Sequence, residues 1–226
     1  MTSARSAIHP GVLEDRHVRL EPLSLDHVAD LWAAASGDRS TYDLAVVPGT
    51  AADMRTYVEQ ALDEEKRLVS VPYAVRRKSD GKIVGSGRFM ALEWFSWPVG
   101  RPVPAGEPRR KDAGDPPDAG EIGHLWYAKD AQRTAVNTAT CRLLMVHGFD
   151  VWKMHRLFLK TDARNERSRT MILGLGATFE GVLRAHTPSA DGRVRDTAMY
   201  SILPSEWPGV CARLDSRLAE REDRTP

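Results

Sequence analysis

Apolar and polar positions follow two periods along the chain, and these periods predict a mixture of strands and helices. Alternation of apolar with polar positions, or a short apolar run between turn residues, indicates a strand. Apolar positions three and four apart indicate a helix with one buried face. The predicted strands are 18–22, 71–77, 82–94, 121–128, 156–162, 179–184 and 194–203, and the predicted helices are 25–36, 51–67, 134–149, 165–175 and 205–218.

Residues that cap helices or form tight turns support these boundaries. Ser24 and Thr50 precede two helices as N-caps, because a hydroxyl oxygen can accept from an unpaired N–H of the first turn. Asp80-Gly81 and Asp191-Gly192 each join two apolar runs, which is the pattern of a β-hairpin. The order of elements predicts an α+β domain with one mixed sheet of about seven strands flanked by helices.

Residues 96–120 interrupt this pattern with a segment that has little to pack. It contains six prolines, four glycines and the basic cluster Arg109, Arg110 and Lys111. We expect an inserted surface loop, with a lid over a substrate site as the alternative. Because neither side of the insertion completes a sheet, we predict one domain over 13–218, with flexible tails at 1–12 and 219–226.

Composition narrows the class of protein further. The chain has 226 residues and a formal net charge of +1, which argues against nucleic acid or an anionic membrane as the main partner. Cys141 and Cys211 have no paired ligand spacing, so we expect no metal centre and a reducing, cytoplasmic location. We find no apolar run of membrane-spanning length and no signal peptide.

The segment most suggestive of chemistry is the turn between the strand 121–128 and the following helix. The first turn of a helix presents unpaired N–H groups and the positive end of its dipole, which favours bound phosphate. The side chains at 134, 135, 137 and 138 are small, and Arg133 adds a positive charge. From these residues alone, a plain strand-to-helix turn is the favoured interpretation, because the turn contains no glycine.

Four segments in order resemble the GCN5-related N-acetyltransferase (GNAT) superfamily, and within it the branch that acetylates the alanine N-termini of ribosomal proteins. In that superfamily a Gln/Arg-x-x-Gly-x-Gly/Ala loop holds the diphosphate of acyl-CoA; here Ala135 and Asn137 replace both glycines. The matching segments are Glu121-Ile122-Gly123, Gln132-x-x-Ala135-x-Asn137, the strand 156–162 followed by Asn165 and Ser168, and Leu175-Gly176-Ala177 followed by 180–184.

The resemblance implies a mostly antiparallel mixed sheet with splayed central strands, and acetyl-CoA as co-substrate without a metal. It implies that backbone groups of Trp126, Tyr127 and Ala128 pair with the pantetheine arm. The implied diphosphate site consists of Arg133, Thr134, Ala135, Val136, Asn137 and Thr138. Asn165 would contact the cofactor arm, and Ser168 would lie near the thioester sulfur.

The implied reaction is direct attack of an amine on the acyl carbonyl, which needs a base and an acid for the leaving thiolate. Ile172 stands where many members carry an acidic tyrosine, so Ser168 is the predicted acid; a role in capping or cofactor contact is its alternative. Glu121 is the first candidate base, with a strand-edge ion pair as its alternative, and His186 is the second. His124 is left unassigned between core and pocket.

The acceptor stays open at this point. A protein N-terminus, as the branch implies, and a small amine are both compatible with the sequence. A module that binds CoA or acyl-CoA without catalysis, and a transferase of a longer acyl group, are alternatives. Either a monomer or a homodimer is expected.

Overall fold

The computed structural model describes residue 8 and residues 11–222 as eight strands and five α-helices. The strands are β1 (Leu13–Glu14), β2 (Val18–Pro22), β3 (Ser70–Arg77), β4 (Ile83–Glu93), β5 (Ala119–Tyr127), β6 (Arg156–Asp162), β7 (Thr178–Pro188) and β8 (Val194–Ile202). The helices are α1 (Val28–Ala35), α2 (Ala51–Lys66), α3 (Ala135–Val146), α4 (Glu166–Leu175) and α5 (Trp207–Glu222). No described helix combines the length and apolar character needed to cross a membrane.

The predicted α+β class and mixed sheet are confirmed, with two local differences. The short strand β1 adds an eighth strand to the sheet beside β2. The helix predicted over 134–149 is α-helical only to Val146 and continues as a π-helical turn, His147–Val151. Gly148 lies in that turn, where a Cβ would be 2.8 Å from Leu157 Cδ1, so close packing on β6 requires glycine there.

The sheet order β1-β2-β3-β4-β5-β6-β8-β7 is antiparallel except between β5 and β6. These two parallel strands pair only from Ala119 with Arg156 to Glu121 with Phe158, although both continue well beyond that point. The predicted splay of the central strands is therefore present, and it begins directly after Glu121.

A β-bulge in β5 accompanies the splay. Gly123 pairs with Arg88 and Trp126 pairs with Ser86, so His124 and Leu125 together oppose the single residue Gly87. His124 has a φ of 48°, the left-handed conformation that is uncommon for a side chain of this size. A bulge bends its strand and redirects the side chains at the bend.

The two faces of the sheet are covered by different helices. The larger core, under α3, α4 and α5, contains Ile122, Leu157, Leu159 and Tyr200. The smaller core, under α1 and α2, contains Tyr57 and Trp126 among its members. Because side chains alternate along a strand, Glu121 and Lys160 project from the face that α1 and α2 partly cover.

The insertion 96–120 is attached at the amino-terminal end of β5. Lys111 Nζ lies 2.6 Å from Asp118 Oδ1 and 3.2 Å from Glu107 Oε2, and Asp118 is only 2% exposed. Trp94 Nε1 donates to the carbonyl of Asp115 at 2.9 Å. Since β5 rises about 3.3 Å per residue, the anchored base of the insertion is roughly 26 Å from the end of β5 that leads to α3.

The predicted flexible tails fall mostly outside the described residues. Within the tail predicted at 1–12, Ile8 is described and is completely buried in the larger core. The boundary predicted after Leu218 falls inside α5, which continues to Glu222. Residues 1–7, 9–10 and 223–226 are not described.

Candidate functional site

The parting of β5 from β6 opens a cleft in the middle of the sheet. α3 follows the carboxyl end of β5 after a short turn, and α4 follows the carboxyl end of β6. Because the two strands are parallel, these ends lie at the same edge of the sheet, so the amino termini of α3 and α4 flank the same opening. Unpaired N–H groups and positive dipole ends are thereby concentrated beside the cleft.

The loop before α3 has the features that an anion requires. Arg133 is exposed, has a φ of 61°, and has no ion-pair or hydrogen-bond partner among the described residues. Thr134 is the N-cap of α3, and its Oγ1 accepts from Val136 N at 3.2 Å. Of the predicted diphosphate residues, Ala135 and Asn137 also lie in the first turn, while the Thr138 side chain is buried.

The segment Trp126–Ala128 offers fewer free backbone groups than the sequence predicts. A Cβ on Gly85 would be 2.1 Å from the carbonyl oxygen of Trp126, and Ala128 N donates to Val84 O at 2.8 Å, so both residues are directed toward β4. By the alternation of an antiparallel ladder, the groups of Tyr127 face the cleft.

The carbonyl of Tyr127 is itself occupied. It accepts from Tyr42 Oη and from Gln132 Nε2, both at 2.9 Å, and these two bonds use both of its lone pairs. The expectation that backbone groups of all three residues are free is therefore wrong for the Tyr127 carbonyl and the Ala128 N–H. The N–H of Tyr127 is the backbone group of this segment that the alternation directs into the cleft.

Asn165 and Ser168 lie together at the start of α4. Asn165 is the N-cap, and its Oδ1 accepts from Ser168 N at 3.0 Å. The capping role that was an alternative for Ser168 thus belongs to Asn165. The half-buried Ser168 hydroxyl makes no hydrogen bond to a residue in the described part of the chain.

Glu121 lies at the point where the cleft begins. Its side chain is 4% exposed, and Oε2 is 2.8 Å from Lys160 Nζ on β6. Burial raises the pKa of Glu121, and the nearby Lys160 ammonium only partly opposes this effect. A Cβ on Gly123 would be 2.8 Å from Glu121 Oε1, so Gly123 leaves the space that this carboxyl group occupies.

His124 is a functional candidate that the sequence left unassigned. Its imidazole stacks on Tyr57 of α2, with ring centroids 6.1 Å apart and planes 26° apart. Nδ1 is buried and has no hydrogen-bond partner among the residues that the structure describes. Burial, followed by the charges of Arg88, Lys160 and Arg195, lowers the pKa of His124 to about 4.

The structure does not bring His186 to Glu121. His186 is exposed on β7, the outermost strand, and its Nδ1 is 3.1 Å from Thr197 Oγ1 of β8. β6 and β8 separate β7 from β5, and three strand spacings amount to about 14 Å. Among the sequence-predicted catalytic residues, Glu121 lies at the origin of the cleft and Ser168 beside its opening.

The site therefore has two sides with different chemistry. The edge between α3 and α4 offers backbone N–H groups and the exposed guanidinium of Arg133, which suit a phosphorylated ligand with an amide-bearing arm. The face under α1 and α2 offers a buried carboxyl group and a neutral imidazole. A nucleophile that must lose a proton would find both a base and a hydrogen-bond acceptor there.

Comparison with known proteins gives a consistent family. Residues 17–178 match the acetyltransferase (GNAT) domain. A curated relative, YdaF of Bacillus subtilis (strain 168), is named as a ribosomal N-acetyltransferase. It is 33% identical to this chain over 89 residues, and this alignment covers 39% of this chain and 48% of YdaF. The match to this curated relative thus spans about half of the relative's length.

Solved structures share the fold over most of the chain. A GCN5-related N-acetyltransferase from Brucella melitensis is similar with a TM-score of 0.74 and 28% identity, over 92% of this chain and 85% of that chain. Mycobacterium smegmatis RimJ, solved in complex with a CoA disulfide, has a TM-score of 0.66 and 19% identity, over 90% of each chain. With the family match extending over residues 17–178, the chain belongs to the GNAT family of acetyltransferases.

Proposed function

We propose that the protein transfers an acetyl group from acetyl-CoA to an α-amino group at the N-terminus of a peptide or protein. The observation that carries this proposal is the parting of β5 from β6 after Glu121, with α3 and α4 beginning at the two carboxyl ends. Family membership and the CoA bound to the structurally similar RimJ support acyl-CoA as the donor.

The residues at the opening fit the donor. The diphosphate would be held by Arg133 and by the N–H groups of Ala135 and Asn137 in the first turn of α3. The pantetheine arm would meet the N–H of Tyr127 and the side chain of Asn165. The absent glycines do not prevent this arrangement, because Ala135 and Asn137 lie in the first turn of α3 and neither has a positive φ.

The acyl thioester supplies an electrophilic carbonyl when it is bound. Glu121 accepts a proton from the attacking amine as the C–N bond forms. Ser168 gives its hydroxyl proton to the departing sulfur as the C–S bond breaks. The proton held by Glu121 returns to Ser168 through solvent, so the two transfers balance. The raised pKa of Glu121 brings it closer to the value that a general base needs near neutral pH.

The acceptor would bind on the face under α1 and α2, which is called the acceptor face below. The charges around this face favour an amine of low pKa. Arg88 and Lys160 lie there and act with Arg195 against a further positive charge at His124, so an ammonium group is disfavoured. At pH 7.5 about a third of α-amino groups are neutral, compared with about one lysine side chain in a thousand. The same field therefore favours an N-terminus over a lysine ε-amine.

Binding of CoA is tested by its effect on thermal unfolding. CoA should raise the melting temperature, because a ligand at a hundredfold excess over Kd stabilises the native state by about 2.7 kcal/mol. Arg133→Glu should abolish most of this shift by placing a negative charge at the diphosphate. Arg101→Glu, the same charge change in the exposed insertion, is the control and should retain it.

Two outcomes separate this function from its rivals. No stabilisation of the parent protein by CoA would contradict a CoA-dependent reaction altogether. Stabilisation by CoA together with no release of thiol from acetyl-CoA, across peptides and small amines, would instead identify a binding module without catalysis.

A further inference from the structure

A hydrogen-bonding group without a partner lies on the acceptor face of the cleft. His124 Nδ1 is buried and makes no hydrogen bond within the described part of the chain. An unpaired polar atom in a protein interior is unfavourable by about 1–3 kcal/mol unless a ligand or water completes it. Eight further buried side-chain atoms of the described residues also lack a partner, and His124 Nδ1 is distinguished from most of them by its place on the face that holds Glu121. The position of His124 indicates which ligand group would complete it.

Three features hold the imidazole at that position. The β-bulge redirects the side chain, since His124 and Leu125 together oppose Gly87. His124 has a φ of 48° although it is not a glycine, and strained conformations of this kind concentrate at binding and catalytic sites. Stacking on Tyr57 then fixes the plane of the ring.

We propose that His124 is the residue that binds the acceptor amine, with Nδ1 accepting a hydrogen bond from the amine nitrogen and so orienting its lone pair toward the acyl carbonyl. This inference rests on the proposed function, and it assigns to His124 a positioning contact rather than the proton transfer given to Glu121. His124 lies three residues after Glu121 on β5, and the charges of Lys160 and Arg195 act on both side chains, so both belong to the same face of the cleft.

The charged surroundings keep the imidazole neutral, and only the neutral form has a ring nitrogen that can accept a hydrogen bond from the amine. Arg88 faces it from β4, Lys160 from β6 and Arg195 from β8, while Glu121 lies on its own strand. Tyr57 covers it from α2, and Glu64 of the same helix pairs with Arg88 at 2.9 Å. With a pKa of about 4, His124 is neutral across the physiological range and presents a lone pair to the acceptor.

The test uses two substitutions that both tolerate a positive φ. His124→Gly removes the imidazole, and His124→Asn places an amide oxygen near the position of Nδ1. Loss of a buried hydrogen bond should raise the acceptor KM or lower kcat by roughly tenfold in total for the glycine variant. The asparagine variant should recover most of that loss, and the Kd for CoA should stay unchanged in both.

A measurement on the parent protein is independent of turnover. The ¹⁵N resonance of His124 Nδ1 is followed while a tetra-alanine peptide with a free N-terminus is added, with the N-acetylated peptide as control. A shift with the free peptide alone is expected. No shift at saturating peptide, or an unchanged acceptor kcat/KM in His124→Gly, would overturn the proposal. If the peptide is acetylated but the ¹⁵N resonance does not shift, only the role of His124 is refuted. If the resonance shifts but the peptide is not acetylated, only the proposed acetyl transfer is refuted.

Discussion

Glu121 connects the electrostatics of the site with the stability of the fold. Burial raises the pKa of Glu121 in the folded protein. The folded protein is therefore stabilised when Glu121 is protonated at low pH, and this stabilisation is lost as pH rises through the pKa that Glu121 has in the folded state. Glu121→Gln mimics the protonated carboxyl group at every pH. In urea unfolding we expect the variant to become progressively more stable than the parent as pH rises from the ordinary pKa of a glutamate through the raised pKa of the folded state.

The exposed Glu59 of α2 supplies the control for this comparison. Glu59→Gln should leave the pH dependence of unfolding unaltered. A Glu121→Gln variant that loses stability relative to the parent as pH rises would show that attraction to Lys160 outweighs burial.

The role of Glu121 as base has a separate kinetic signature. Glu121→Gln should remove the rising acid limb from the pH profile of kcat/KM and lower the rate by roughly a hundredfold or more. His186→Gln should leave that limb in place, because His186 lies on the outermost strand. Loss of the limb in the His186 variant alone would transfer the role to His186.

Ser168 and Asn165 can be separated by paired substitutions. Ser168→Ala keeps the backbone N–H that Asn165 caps, so stability should change little while kcat falls roughly 10²–10⁴-fold. Asn165→Ala should lower the free energy of unfolding by about 1 kcal/mol through loss of the cap. A Ser168→Ala variant with unchanged kcat and a raised KM for acetyl-CoA would assign the hydroxyl to cofactor contact alone.

Among the elements, the insertion 96–120 is bound to the fold by a largely buried ion pair. Lys111→Met leaves Asp118 without its ammonium partner and should lower the free energy of unfolding by about 3 kcal/mol. Arg110→Met removes a neighbouring pair with Asp112 that is more than 70% exposed on both sides, so its effect should stay within about 1 kcal/mol. Both are measured by chemical denaturation.

The same two variants test the predicted alternative of a lid. The insertion is anchored at the end of β5 opposite the Arg133 loop, so both variants should bind CoA as the parent does. A lower affinity for CoA in Lys111→Met, at a temperature where it is folded, would contradict this separation.

Local patterns explain why the elements were predictable from sequence. The Thr50 cap and the Asp80-Gly81 turn depend on neighbouring residues, and both occur where expected: Thr50 Oγ1 accepts from Asp53 N at 3.1 Å, and β3 and β4 are joined through Asp80-Gly81. The π-helical turn after α3 was not predicted, and it contains Gly148, which packs against Leu157 of β6. A helical period cannot report a contact with a distant strand.

The site was only partly predictable because its partners come from different strands. The resemblance led to Glu121, Arg133, Asn165 and Ser168 through short motifs. The Lys160 contact of Glu121 depends on the register of β5 with β6. The unpaired imidazole of His124 depends on a bulge that the alternation of β5 does not reveal. The bonds from Tyr42 and Gln132 to the Tyr127 carbonyl are likewise tertiary.

For the whole molecule, we propose that the cleft between β5 and β6 brings an acyl thioester to an α-amine on the face under α1 and α2. The direct test incubates the protein with acetyl-CoA and a peptide that has both a free N-terminus and an internal lysine. Fragment mass spectrometry then locates any acetyl group. We predict acetylation of the α-amino group, and its reduction in Arg133→Glu. Acetylation of the lysine alone would contradict this proposal. The absence of acetylation on both amines, while CoA stabilises the protein, would also contradict it.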